Sequence, residues 1–208
     1  MLAEQILMLL YHPDTGRLLV SANKADLALG GALLVELTER QRIDLTEPHR
    51  VTKNRTVVVV DPTPTGDDVL DEALRRISAQ RSTRAQVVVS KIAKGMRGEL
   101  LERLAGRGLL RSEQAKLVGV IPTDSWPAVD VRPAEELTRD LRQVLVDQRP
   151  ATSHEAAIIS LVHTVGGTAK VLGGAGPEGR ELEERAKAIA GGDAAADVVH
   201  QALKAAAF

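Results

Sequence analysis

The sequence predicts a mainly α fold: a single helical-bundle domain over residues 1–208, with short peripheral β-hairpins. Three observations carry this expectation. Apolar residues recur at helical spacing along most of the chain, whereas β-branched runs are few and short. The 44% apolar content comes mostly from Ala, Leu, Val and Ile, with one Trp, one Tyr and one Phe. A core of aliphatic and Ala side chains favours close helix packing over a β-sandwich. At 208 residues the chain can bury a real core, and no internal repeat or low-complexity linker divides it.

The elements follow in order. Residues 2–10 read as an amphipathic helix; Glu4 interrupts a short apolar run that no basic segment precedes, which is not a signal-peptide pattern. Residues 12–20 read as a turn, with Asp14 and Gly16 supplying its chemistry, and then a short strand. Residues 25–40 form a helix with Leu27, Leu29, Leu33, Leu34 and Leu37 on it and Gly30-Gly31-Ala32 along its middle. Small residues weaken an isolated helix, so they predict a backbone that approaches a neighbour closely. The β-branched runs 43–45 and 56–60 read as short paired strands.

Pro62-Thr63-Pro64-Thr65-Gly66-Asp67 is a tight polar turn leading into the acidic first turn of a helix, with Thr65 or Asp67 as its N-cap. Asp67, Asp68, Asp71 and Glu72 suit the positive helix end, and Arg75 and Arg76 lie nearer the other. Further helices are expected at 83–93, 96–105, 134–146, 152–172, 177–190 and 194–207, with Thr152 and Glu155 forming a capping box. Gly106-Arg107-Gly108 stops one helix. Residues 109–111 and 115–121 then read as strands around the polar turn Ser112-Glu113-Gln114, and 122–133 as a loop holding Trp126. Gly173 to Gly176 is a joint between two amphipathic helices that share one core.

Composition excludes several functions. The absence of Cys removes disulfides and Cys-based metal sites. A net charge of −1 leaves no global basic field, so any anion site must be local. No apolar run approaches the ~18–20 residues that cross a bilayer, and a cytoplasmic protein that visits a membrane surface is expected. Gly174-Ala175-Gly176-Pro177-Glu178-Gly179 matches a dinucleotide fingerprint in letters only, because a helix, not a strand, precedes it. Gly166 to Lys170 fails as a phosphate loop, since Val171 follows the lysine. The five histidines are scattered; His163 reads as a half-buried structural residue, and Thr164 beside it has no acid–base partner. The acids at 67, 68, 71 and 72 serve capping and the helix dipole better than a metal. No catalytic residue, cofactor or metal is expected, and the chain reads as non-enzymatic.

Basic residues are more informative. Arg81, Arg84, Lys91, Lys94 and Arg97 fall in a short span, followed by Arg103, Arg107 and Arg111. Lys94 and Arg97 stand three apart at a helix boundary, with Gly95 and Gly98 beside them. A lysine point charge, an arginine fork and helix-start N–H groups can together hold a phosphate. The spacing by itself suits a solvated helical face better. A helix–Gly–hairpin at 97–121 imitates a winged helix, but the net charge of −1 and the lack of stacking aromatics exclude nucleic acid as the expected partner.

The order of segments resembles the Golgi phosphoprotein 3 family over nearly the whole chain. The stretch from Pro64-Thr65-Gly66-Asp67 to Leu70-Asp71-Glu72-Ala73-Leu74 is the most specific match. The run from Ala28 through Glu36-Leu37 to Arg42-Ile43 resembles the family's second helix, and Arg97 to Leu110 the helix before its hairpin. The opening helix with Asp14 and Gly16 resembles the family's start, and 157–172 its long central helix. The resemblance implies one mainly helical domain that binds phosphatidylinositol 4-phosphate in a shallow basic pocket. It implies phosphate-binding roles for Lys94 and Arg97. The family's pocket Trp falls at Ser21 and its first arginine at Gly30, so these two border an altered pocket. The hairpin 109–121, with Leu117, Val118, Val120 and Ile121, corresponds to the family's membrane-inserting and self-associating segment.

With 19 Arg against 8 Lys and abundant Ala, a GC-rich bacterial source is expected. A bacterium has no Golgi, so the eukaryotic adaptor role does not transfer. Two readings stand. One is a peripheral protein on the inner membrane face that binds an anionic phospholipid head group. The other is a protein-interaction or homo-oligomeric scaffold, joined through 109–121, that keeps the fold and has lost specific lipid binding.

Overall fold

The computed structural model describes residues 1–50, 54–114, 124–173 and 176–206. Among them run ten helices: α1 (Leu2–Leu10), α2 (Ala22–Glu39), α3 (Asp68–Ser78), α4 (Ala85–Ala93), α5 (Met96–Gly106), α6 (Arg132–Leu145), α7 (Ser153–Thr164), α8 (Thr168–Leu172), α9 (Gly176–Ala190) and α10 (Ala194–Ala206). Two small antiparallel sheets complete the described structure. β1 (Ile43–Leu45) pairs with β2 (Val57–Val59), and β3 (Glu113–Gln114) with β4 (Asp124–Ser125). The expected mainly α fold with short hairpins is what the chain adopts.

Helix α2 is the hub. It packs on α1, α4, α7 and α10, and its residues from Leu27 to Leu34 are all buried. Its small residues make that possible. A Cβ on Gly30 would lie 2.6 Å from the Val89 carbonyl oxygen of α4, and one on Gly31 2.6 Å from Leu161 Cδ2 of α7. Those separations are far inside van der Waals contact, so only glycine allows the two seams to close. Helix α1 lies against the hub, its start fixed by the Leu2 N–H donating to the buried Glu36 carboxylate at 2.9 Å.

Caps match the sequence in two places. Asp67 is the N-cap of α3, accepting from the Val69 and Leu70 N–H groups, and Thr152 with Glu155 forms the capping box of α7. Three expectations need correction. The helix expected over 152–172 breaks into α7 and α8, because Gly166 takes a left-handed conformation (φ 72°) and turns the chain. Residues 12–20 hold a turn with a single bridge, Tyr11 to Leu18, in place of a strand. Ser112-Glu113-Gln114 is not a turn: Glu113 pairs with Ser125 and Gln114 with Asp124. Asp124 and Ser125 are therefore strand residues where a loop was expected. The hairpin residues Leu117, Val118, Val120 and Ile121 lie outside the described residues.

Candidate functional site

The corner between α4 and α5 carries the two cations singled out from the sequence. Ala93 ends α4, buried; Lys94 leaves the helix in an extended conformation (φ −62°, ψ 116°) with its side chain exposed. Gly95 then takes φ 82°, a left-handed turn open to solvent, and Met96 begins α5 as a fully buried anchor. The chain therefore turns sharply between two buried residues, and Lys94 stands immediately before the helix. Arg97 stands on the first turn of α5, with 27% of its side chain exposed. Gly95 offers no side-chain cap, so the positive end of α5 is uncapped by protein side chains. Lys94 forms no ion pair among the described residues. An uncapped helix start flanked by a lysine and an arginine is chemically suited to a phosphate or carboxylate.

The acidic helix start of α3 braces this corner. Asp67 accepts a bidentate pair from Arg103 of α5, at 2.7 and 3.0 Å, while capping its own helix. Burial pushes the Asp67 carboxyl up. The Arg103 hydrogen bonds and the two helix-start N–H groups outweigh burial and leave it below its ordinary value. Glu72 holds Arg76 at 2.7 Å. Arg76 in turn donates to the Ile92 carbonyl at 3.2 Å and to the Lys94 carbonyl, which satisfies the open end of α4. Asp71 accepts from the Thr65 N–H and hydroxyl at 2.5 and 2.7 Å, closing the turn itself. Three of the four acids thus position α4 and α5 or their own helix start. Arg103 and Arg107 also grip Glu4 of α1, at 3.1 and 2.9 Å, and Arg111 pairs with Glu113. The apparent run of basic residues is therefore divided: acids engage Arg103, Arg107 and Arg111, whereas Lys94 stands apart from them.

Two neighbours were not singled out from the sequence. Asp26 of α2 meets Arg97, Oδ1 to Nε, at 3.3 Å. Burial raises the Asp26 carboxyl above its ordinary value, and Arg97 only partly offsets that. Tyr11, 8% exposed and the chain's single tyrosine, lies within electrostatic reach of both. Its phenol is raised by burial first, then lowered by Arg97 and raised again by Asp26. Asp26 reads in the sequence as an ordinary polar position on a helix, and only the packing of α2 near α5 reveals its partner. Ser21 is the exposed N-cap residue of α2 and makes no side-chain capping bond. Gly30 is buried in the α2–α4 seam, beneath Ala93 and Val89.

Comparison with known families settles the lineage. The profile described as Golgi phosphoprotein 3 (GPP34) matches residues 2–206, nearly the whole chain. The chain belongs to the Golgi phosphoprotein 3 family. No curated protein matches it.

In this member of the Golgi phosphoprotein 3 family a second concavity lies beside the first helix. A cavity of about 710 Å³ is bounded by the end of α1, the Tyr11–Leu19 turn, the base of the β3–β4 hairpin, α6 and α8. Leu9, Leu110 and Trp126 form apolar wall, and Arg139, Arg142 and Lys170 stand around it. Arg142 is occupied by Glu178 and the Leu172 carbonyl, and Lys170 by the Leu19 carbonyl. Trp126, expected in a loop, is buried here and its backbone N–H donates to the Gly16 carbonyl. His163 pairs with Glu183 at 3.1 Å across α7 and α9, a structural contact. The glycine-rich 174–179 segment follows helix α8, not a strand. Among the described residues no helix is long and apolar enough to cross a membrane, and no side-chain group is arranged to hold a metal.

Proposed function

We propose that this chain is a non-enzymatic peripheral membrane protein that binds an anionic, phosphoinositide-type head group at the α4–α5 corner. The lipid class is that of phosphatidylinositol 4-phosphate. Membership of the Golgi phosphoprotein 3 family supports the lipid class. The carrying observation is the uncapped start of α5, with Lys94 just before it and Arg97 on its first turn. In this reading Lys94 acts as a mobile point charge and Arg97 as the directional fork, while α5 contributes N–H groups and dipole. Ser21 and Gly30 border the site without supplying charge. The protein works at the cytoplasmic face of a membrane, without catalysis, cofactor or nucleic acid. Flotation with vesicles carrying phosphatidylinositol 4-phosphate, against vesicles of equal charge made with phosphatidylserine, tests this. Selective partitioning that a Lys94→Ala/Arg97→Ala pair abolishes is expected; equal partitioning of wild type and pair removes the site.

A second reading is favoured by the same corner. Arg97 already has a carboxylate partner in Asp26, and Gly30 leaves no cation in the α2–α4 seam. A scaffold that has lost head-group selectivity, self-associating through 109–121, fits those two facts. It predicts no difference between the two vesicles and a defined oligomer by sedimentation that disappears when Leu117, Val118, Val120 and Ile121 are replaced by Ser.

A further inference from the structure

Arg97 does not wait empty for a ligand. Its Nε faces Asp26 Oδ1 at 3.3 Å, and both side chains are about a third exposed or less. A carboxylate is the closest protein imitation of a phosphate oxygen, and arginine holds either in the same geometry. The acid comes from α2, the helix that packs on α1, α4, α7 and α10, so its backbone stays beside Arg97. No other ion pair to Arg97 forms among the described residues. We propose that Asp26 is a built-in competitor for the head-group site: its carboxylate occupies Arg97 in the free protein, and a ligand phosphate must displace it.

The proposal rests on the head-group reading and adds its regulation. Because the competitor is part of the chain, its effective concentration is fixed and high, and only ligand contacts stronger than the internal pair are rewarded. Lys94 and the α5 start supply those extra contacts, since neither has a protein side-chain partner of its own. A ligand that offers charge to Arg97 alone merely exchanges one pair for another. A phosphate that reaches Lys94 and the helix start as well gains the difference. The competitor therefore sets a threshold. It lowers affinity for every anion that uses Arg97 by the same factor and leaves those that contact Arg97 alone below detection.

The test compares full-length wild type, Asp26→Asn, Arg97→Ala and Asp26→Asn/Arg97→Ala on phosphatidylcholine vesicles with and without phosphatidylinositol 4-phosphate. Asp44→Asn, at an exposed position on β1, controls for the change in net charge. An exposed-to-half-buried ion pair of this kind predicts that Asp26→Asn tightens binding by roughly threefold to tenfold. Asp44→Asn should change it little, and Asp26→Asn should have almost no effect once Arg97 is gone. Equal gains from Asp26→Asn and Asp44→Asn overturn the competitor while leaving the head-group site intact. If wild type and Asp26→Asn both fail to bind the phosphoinositide vesicles above the plain ones, the competitor and the head-group reading fall together. Circular dichroism and melting of each variant confirm that the fold persists.

Discussion

The α3 start and the α4–α5 corner use the same residue types to opposite ends. At the α3 start three of the four acids, Asp67, Asp71 and Glu72, are engaged. Asp67 caps a helix and holds Arg103, Glu72 holds Arg76, and Arg103 reaches on to Glu4. Less than 10 residues along α5 from Arg103, Arg97 has a single contact and Lys94 has none among the described residues. The first region is closed because each donor meets an acceptor, so it can contribute rigidity and nothing else. The second is open because a left-handed glycine ends α4 and leaves α5 uncapped. Conspicuous acids therefore mark the brace, while Lys94, without an ion pair among the described residues, and Arg97, held by Asp26 alone, mark the corner where something else can bind.

The largest expected effect comes from restoring an arginine at the family's first-arginine position. Gly30→Arg drives a side chain into the α2–α4 seam, where even a Cβ would sit 2.6 Å from the Val89 carbonyl. A loss of about 3 kcal/mol or more is expected by chemical denaturation, not a gain in lipid binding. A stable variant with stronger binding would mean that the seam beneath the corner is open.

Next comes the brace. Asp67→Ala removes a cap and a bidentate partner together and should cost about 2 kcal/mol. Its pH dependence has a definite sign. The Asp67 carboxyl is depressed in the fold, so its stabilisation is present above the ordinary carboxylate range and is lost as pH falls through the depressed value. The gap between wild type and variant should narrow as pH drops below about 4 in urea melts. A gap that does not narrow with acid would detach the brace from this carboxylate.

Arg76→Ala tests whether the two regions are coupled. It strands the Ile92 and Lys94 carbonyls at the end of α4 and should cost about 1–2 kcal/mol. Phosphoinositide binding should fall as well, though Lys94 and Arg97 are untouched. Arg76→Lys should not restore it, because one ammonium cannot serve Glu72 and two carbonyls with the planar fork's geometry. Unchanged vesicle binding in Arg76→Ala would show that the corner holds its shape without the brace. The smallest effect is spectroscopic. Tyr11 is the only tyrosine, so its phenolate absorbance reports on the corner alone. Asp26→Asn should lower its midpoint and Arg97→Ala should raise it. No shift in either variant would place Tyr11 outside the corner's field.

Much of this was legible in the sequence, and the reasons are local. The capping residues at Asp67 and Thr152, the strand 43–45 and the helix 2–10 are decided by nearest neighbours in the chain, and they appear where the pattern put them. Gly30 and Gly31 announced a close approach, and the structure supplies the two partners, α4 on one side and α7 with α10 on the other. What escaped was decided at long range. Glu113 and Gln114 look like a turn until Asp124 and Ser125 come alongside, and the Gly166 break costs a helix whose apolar period runs on past it. At the site, Lys94 and Arg97 stood out because three-residue spacing at a helix boundary is visible in one dimension. Asp26 did not, because its partner lies on another helix.

The most direct test of the head-group site is a crystal structure with a soluble inositol bisphosphate that carries the 4-phosphate. The expected result is a phosphate within hydrogen-bond distance of Lys94 Nζ and the Arg97 guanidinium at the start of α5, with Asp26 turned away from Arg97. A head group bound elsewhere, with the Arg97–Asp26 pair intact, would contradict it.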